Sequence, residues 1–295
     1  MRRCERRDRA ELPGASHAPL IASPRTQAAA ALALSAAFVV CAHASAHDYW
    51  IEASTFLPVV GDRVDLHLLV GEALVPEEER VMQQARAARF VHVSAAGIED
   101  LRPTSIDGAM PFATLSLVTE GTHLVHLERT FATLTLPADR FERYLHGEGL
   151  DAIVRERRRR GERAREGRER YARCIDLLLR VGEASDETFR RGPDCRIAIV
   201  PDVDPSLLHA RSRLGVLVLF DGAPFAGAAL AAAIRDAGGR VLGRSAVTDA
   251  NGHALLVIPG AGTVVLHTVH MERSTDPATD WESWWASYTF AVRRQ

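Results

Sequence analysis

From residue 214 onward the chain is cut into short apolar runs by turn-forming residues at near-regular intervals. The runs 215–220, 228–236, 241–248, 253–258 and 263–271 are separated by Asp221-Gly222, Gly238-Gly239, Asp249-Ala250-Asn251-Gly252 and Pro259-Gly260, and a last run covers 287–292. Glycine, asparagine and aspartate reach the backbone angles that tight turns need, and proline presets one of them. Short strands with a turn every roughly 8–12 residues describe a β-sandwich.

The preceding half has the same texture less regularly. Residues 47–70 read as strands joined by a turn at 58–62, and Val64, Leu66, Leu68 and Val70 recur with the period of two that puts them on one face. Residues 71–89 are acidic, then mixed, with room for a short helix. Runs 90–93, 110–118 and 122–130 are further strands, and Gly121 suggests a hairpin across 110–130. At 137–181 the pattern changes. Asp139 can cap a helix that uses Phe141, Tyr144 and Leu145, and Gly147 and Gly149 interrupt it. A second helical run from Leu150 carries Tyr171, Ile175, Leu178 and Leu179 on one stripe before Gly182. A linker-like stretch at 184–193 leads to a strand at 195–200. The expected fold is mainly β, with two β-sandwich-like modules: 47–200, including a helical segment at 138–181, and 205–295.

Residues 1–46 have another character. A polar, arginine-rich start leads into the apolar run AAAALALSAAFVV at 28–40 and then Ala44-Ser45-Ala46. The run is shorter than the about 20 residues that cross a bilayer, and the charge–apolar–AxA order is that of a secretory signal peptide. Cleavage after Ala46 is expected, giving a periplasmic protein that begins at His47. That chain keeps 30 of the 36 arginines and 35 of the 38 acidic residues, with two of the four cysteines. It contains no apolar run long enough to span a membrane, and its charge argues against a nucleic-acid partner. There is no lysine anywhere, which removes Schiff-base and P-loop chemistry. No G-x-S-x-G, dinucleotide fingerprint or nucleophilic-cysteine motif occurs, so nothing signals an enzyme. Cys174 and Cys195 are a disulfide candidate in an exported chain, the alternative being two buried free thiols.

The processed N-terminus is the sharpest chemical feature. His47 would carry a free α-amine beside its imidazole, and the two nitrogens can chelate one ion, with Ni(II), Co(II), Cu(II) and Zn(II) all suited to such donors. Asp48 or Glu52 can add oxygen, although Asp48 alternates to the other face of a strand. A second cluster holds His267, His270, Glu272, Asp276 and Asp280, without a zinc-site spacing. His267 and His270 face opposite sides of a strand, and His270 is favoured because it ends the strand before a polar loop. The candidate metal set is therefore His47, Asp48, Glu52 and His270, against the plainer reading of an exposed terminal histidine and a hydrogen-bonded core one. His123 and His126 read as structural, His67 and His92 as surface or satisfied positions. Trp50, Trp281, Trp284 and Trp285 crowd the two ends of the mature chain, either as an aromatic wall where the ends meet or as core anchors. The arginine-rich run 155–170 reads as a solvated helix with Glu–Arg pairs rather than as an anionic-partner site. Asp249 and Asn251 read first as a turn and only second as calcium ligands.

Several motifs, in this order, resemble a bacterial exported family. They are His47-Asp-Tyr-Trp-Ile-Glu52, the run from Tyr171 to Gly182, Ile199-Val-Pro201, Leu217-Val-Leu-Phe-Asp-Gly222, Thr248-Asp-Ala-Asn-Gly252, His270-Met271, Asp280-Trp-Glu-Ser283, Trp285-Ala286 and Thr289-Phe290. That family is a domain of unknown function often assigned as the periplasmic component of nickel or cobalt uptake systems. The resemblance implies a nickel- or cobalt-binding protein that assists uptake, with a membrane metal transporter as partner. Region 214–271 also resembles the prealbumin-like sandwich of Cna protein B-type domains. The alternative function is a non-catalytic structural or adhesive module for a protein or glycan. A third reading is a copper enzyme built on the His47 chelate.

Overall fold

The computed structural model describes residues 47–192 and 194–294, and the expected signal peptide lies outside them. A central sheet runs in the order β13 (Val241–Val247), β12 (Ala229–Arg235), β15 (Gly262–Arg273), β16 (Trp281–Val292), β8 (Gly167–Val181), β7 (Gly121–Leu136), β4 (Ala87–Ser94) and β5 (Gly97–Asp100). Its neighbours pair antiparallel except β16 and β8, which run parallel. The sheet thus takes strands from both sides of residues 200–205 and joins them at β16–β8.

Two smaller sheets cover its faces. On one side lie β1 (Asp48–Ala53), β2 (Arg63–Glu72) and β3 (Val75–Arg80), with β6 (Ala113–Ser116) also paired to β2. Val64, Leu66, Leu68 and Val70 of β2 are buried and the residues between them are not, as the alternation predicts. Val64, Leu66 and Leu68 close a core against Val125, Leu127, Ile175, Leu177 and Leu179. On the other side β9 (Ile197–Pro201), β10 (Arg213–Phe220), β11 (Ala223–Pro224) and β14 (His253–Val257) pack over Leu178, Leu230, Leu266, Tyr288 and Phe290. The fold is mainly β, of sandwich type, and the strands between residues 214 and 273 fall where the turns place them, while the last one, expected at 287–292, begins at Trp281.

The helical reading of 138–181 needs correction. Helices α1 (Ala138–Gly147) and α2 (Asp151–Arg159) are present, but 167–181 is the long strand β8. From Arg173 to Val181 every residue of β8 is buried. A strand covered on both faces shows no polar–apolar alternation, so its apolar run fits a helical stripe as readily. The hairpin at 110–130 is also absent, because β6 pairs with β2 while β7 pairs with β4 and β8. Gly121, at φ +119°, serves a close approach instead: a Cβ there would lie 2.4 Å from Asp186 Oδ2, which accepts the Thr122 N–H. The region 71–89 holds β3 and only a short 3-10 turn at Gln84–Arg86.

Within the arginine-rich run Arg155, Arg158, Arg159, Arg160, Arg163 and Arg165 are exposed, with an i,i+4 Glu156–Arg160 pair as the solvated reading expects, while three others are tied inward. Arg157 is buried, donates to the carbonyls of Glu162 and Arg165, and stacks on Phe141. Arg168 pairs with Asp280, Arg170 with Glu282, and Arg273 with Glu156 and Glu162. Cys174 and Cys195 form a disulfide, Cα to Cα 6.5 Å, linking β8 to the segment that enters β9.

Candidate metal centre

Three elements distant in sequence meet at His267. Strand β15 turns His267, Val269 and Met271 to the face that carries β1 and the helices, while Leu266 and His270 look the other way. Strand β1 is fixed over it by Trp50, fully buried with Leu74 and Val265. Because alternate residues share a side, Asp48 takes the place next to His267 when Trp50 sits on Val265. Helix α1 supplies the third group. Phe141, Tyr144 and Leu145 bury one stripe against the cluster of Trp281 and Trp285, and Gly149, at φ +70° and close to Ala229, ends the element. Glu148 at the end of that helix is thereby aimed at His267.

His267 Nε2 lies 2.7 Å from Glu148 Oε2, and Nδ1 lies 3.7 Å from Asp48 Oδ1. One ligand atom from each of the three residues falls within 4.8 Å of the others. Burial alone would push the imidazole toward neutrality, but the charges of Asp48 and Glu148 outweigh it and raise its pKa to about 9. The ring also stacks parallel on Trp285, centroids 6.0 Å apart. Asp48, Tyr49, Arg173, His267 and Trp285 line a cavity of about 10 Å³, close to the least that holds one water. Arg173, stacked on Tyr49 and Trp285, adds a positive charge that opposes protonation of His267.

Beneath the cluster runs a buried polar chain. Trp285 Nε1 donates to Ser283 Oγ at 3.0 Å, and both Ser283 and Tyr144 donate to Glu169. Burial raises the Glu169 carboxyl to about 7, against the opposing pull of those hydroxyls and of Arg173.

Of the residues proposed from sequence, Asp48 alone enters this cluster. His47 adjoins it through the backbone, its carbonyl accepting from Arg173 Nη2 at 3.0 Å, while its Nδ1 lies 3.5 Å from Glu77. Glu52 is engaged elsewhere: it accepts from Trp50 Nε1 and pairs with Arg235 at 2.5 Å. His270 is on the opposite face, in an aromatic box with Phe220 and Phe225, centroids 4.3 and 4.8 Å away. Burial lowers its pKa, with Glu272 only partly restoring it. The chain ends do meet, since Asp48 and Trp285 share one cavity, and all four tryptophans are also buried anchors. Asp249 serves its turn, accepting from the backbone N–H of Asn251 and of His253. Sequence reasoning passed over Glu148. Its signal is an acid at a helix C-terminus, where the helix dipole disfavours negative charge unless a cation faces it.

A family model described as "Domain of unknown function (DUF4198)" matches residues 44–272. The chain belongs to the DUF4198 family. The DUF4198 match includes Asp48, Glu148 and His267, together with His270 and both cysteines of the disulfide. No curated protein matches the sequence. Among solved structures, a tetra-tandem repeat in the extending region of a large adhesion protein aligns at 10% identity and TM-score 0.20, covering 83% of this chain and 49% of that one, so this chain spans about half of its length. The D0-D1 domain of intimin aligns at 14% identity and TM-score 0.19, covering 81% and 96%. Among the described residues no helix is long and apolar enough to cross a membrane.

Proposed function

We propose that this protein binds one divalent transition-metal ion at Asp48, Glu148 and His267 after export to the periplasm, and presents it to a membrane uptake system. The observation that carries this reading is the convergence of one imidazole and two carboxylates from β1, α1 and β15, with one ligand atom of each within 4.8 Å of the others. Imidazole with carboxylate oxygens suits nickel, cobalt, copper or zinc. The imidazolium donates from Nε2 to Glu148 at 2.7 Å while its Nδ1 stands 3.7 Å from Asp48 Oδ1, and a metal on either nitrogen would take the place of that nitrogen's proton, so binding releases it. Nickel or cobalt as the ion, and a transporter as partner, are supported by the family resemblance alone. If cleavage follows Ala46, the His47 α-amine begins one residue from Asp48 and is a further donor.

Equilibrium titration of the processed protein with Ni(II), Co(II), Cu(II) and Zn(II) tests this. Saturable one-to-one binding is expected, lost in His267→Ala. Absence of saturable binding, or unchanged affinity in that variant, overturns the reading and leaves the adhesive or structural module as the better one.

A further inference from the structure

The opposite face of β7 and β8 holds a second donor set. Antiparallel register places His126 against Asp176 and Glu128 against Cys174, all four side chains on one side of the sheet. Cys195 descends onto them from the segment before β9 and closes the disulfide to Cys174. His126 is oriented by Asp176, Nδ1 to Oδ1 2.7 Å, and its Nε2 lies 3.7 Å from Cys195 Sγ. A Glu128 oxygen completes a group of ligand atoms within 4.8 Å of one another. His126 is 1% exposed, so this is a built position rather than a surface coincidence.

We propose that reduction of Cys174–Cys195 converts this cluster into a binding site for a thiophilic divalent cation. Its ligands would be both cysteine sulfurs, His126 Nε2 and Glu128. A dithiol supplies two electrons and two protons, becomes a disulfide itself, and leaves two thiols; the cation then displaces the two thiol protons. With metal–sulfur bonds of about 2.3 Å and metal–nitrogen bonds of about 2.0 Å, tetrahedral ligands stand roughly 3.3–3.8 Å apart, which the His126–Cys195 separation already meets. The sulfurs must part to a similar distance, and Cys195 can retreat because it lies outside regular structure in a partly exposed stretch. Asp176 then fills the outer-shell role of a carboxylate that fixes the tautomer of a ligating histidine. In the oxidised protein the sulfurs are bonded to each other and the site is closed. This inference stands apart from the Asp48–Glu148–His267 reading, because that set contains no sulfur.

Cobalt titration in a His267→Ala background isolates the second site. The full chain is reduced with a phosphine, freed of it without air, and titrated with Co(II). The expected result is one equivalent bound with sulfur-to-cobalt charge-transfer absorption, absent from the oxidised protein. His126→Ala and Glu128→Gln should each weaken binding at least about tenfold, and Asp176→Asn by about tenfold. No charge-transfer band in the reduced protein overturns the proposal, as does a band whose affinity ignores both His126→Ala and Glu128→Gln. Near-ultraviolet circular dichroism reads the buried tryptophans; a reduced protein that loses that signal overturns it too, since the site needs the β7–β8 face intact.

Discussion

His267 and His270 lie three residues apart on the same strand and have opposite fates. His267 looks toward β1 and α1, between two carboxylates, and is held protonated with a pKa of about 9. His270 looks toward β10, between Phe220 and Phe225, and is held neutral below its ordinary value. The residue type and the local sequence barely differ; the covering layer decides. A histidine among acids keeps its proton, and a histidine among aromatic rings loses it and becomes packing.

The comparison can be broken most strongly at Trp50, which seats β1 over the His267 face. Trp50→Ala should cost about 3–5 kcal/mol of stability in denaturant unfolding, and abolish metal binding, while leaving the environment of His270 as it was in the folded fraction. Next in size, His267→Ala should weaken metal binding by more than about 100-fold, beyond the loss typical of outer-shell partners, whereas His270→Ala should leave it within about twofold. Equal losses in the two variants, read by calorimetric titration, would abolish the distinction between the faces.

The titrations sharpen it further. In metal-free protein, NMR should find the His267 midpoint near 9 and that of His270 below 6.5. For His267 the folded pKa is the higher one, so its stabilisation is complete below about 6.5 and is lost as pH rises through about 9. For His270 the sign reverses: its contribution is present at high pH and is lost as pH falls through its lowered pKa. A third titration belongs to Glu169, whose carboxyl is raised to about 7. Folding should gain stability as pH falls from about 7 toward 4.5, because the folded state holds that proton more tightly. Glu169→Gln should flatten the thermal midpoint across that interval; an unchanged slope would show that the carboxyl does not titrate there.

How much of this the sequence discloses depends on coverage. Where one face of a strand meets solvent, as in β2, alternation reveals the strand and its buried side at once. Where both faces are covered, as in β8, alternation vanishes and the run imitates a helix. The metal candidates divide in the same way. The meeting of the two ends was legible from the tryptophans that crowd them, and Asp48 was named only as an oxygen donor beside His47. The choice between His267 and His270 was not, since opposite faces say nothing about which one meets the acids. Glu148 was hidden by distance: it lies 119 residues from His267 in the chain, and only the packing of α1 brings them together.

The parallel pairing of β16 with β8 has a consequence for assembly. Strand β16 is an interior strand of the central sheet, flanked by β15 and β8. The strands on either side of residues 200–205 join in that sheet through the pairing of residues 281–289 with 169–177. Loss of residues 281–292 would therefore part the sheet at its centre, where loss of an edge strand such as β5 would only narrow it.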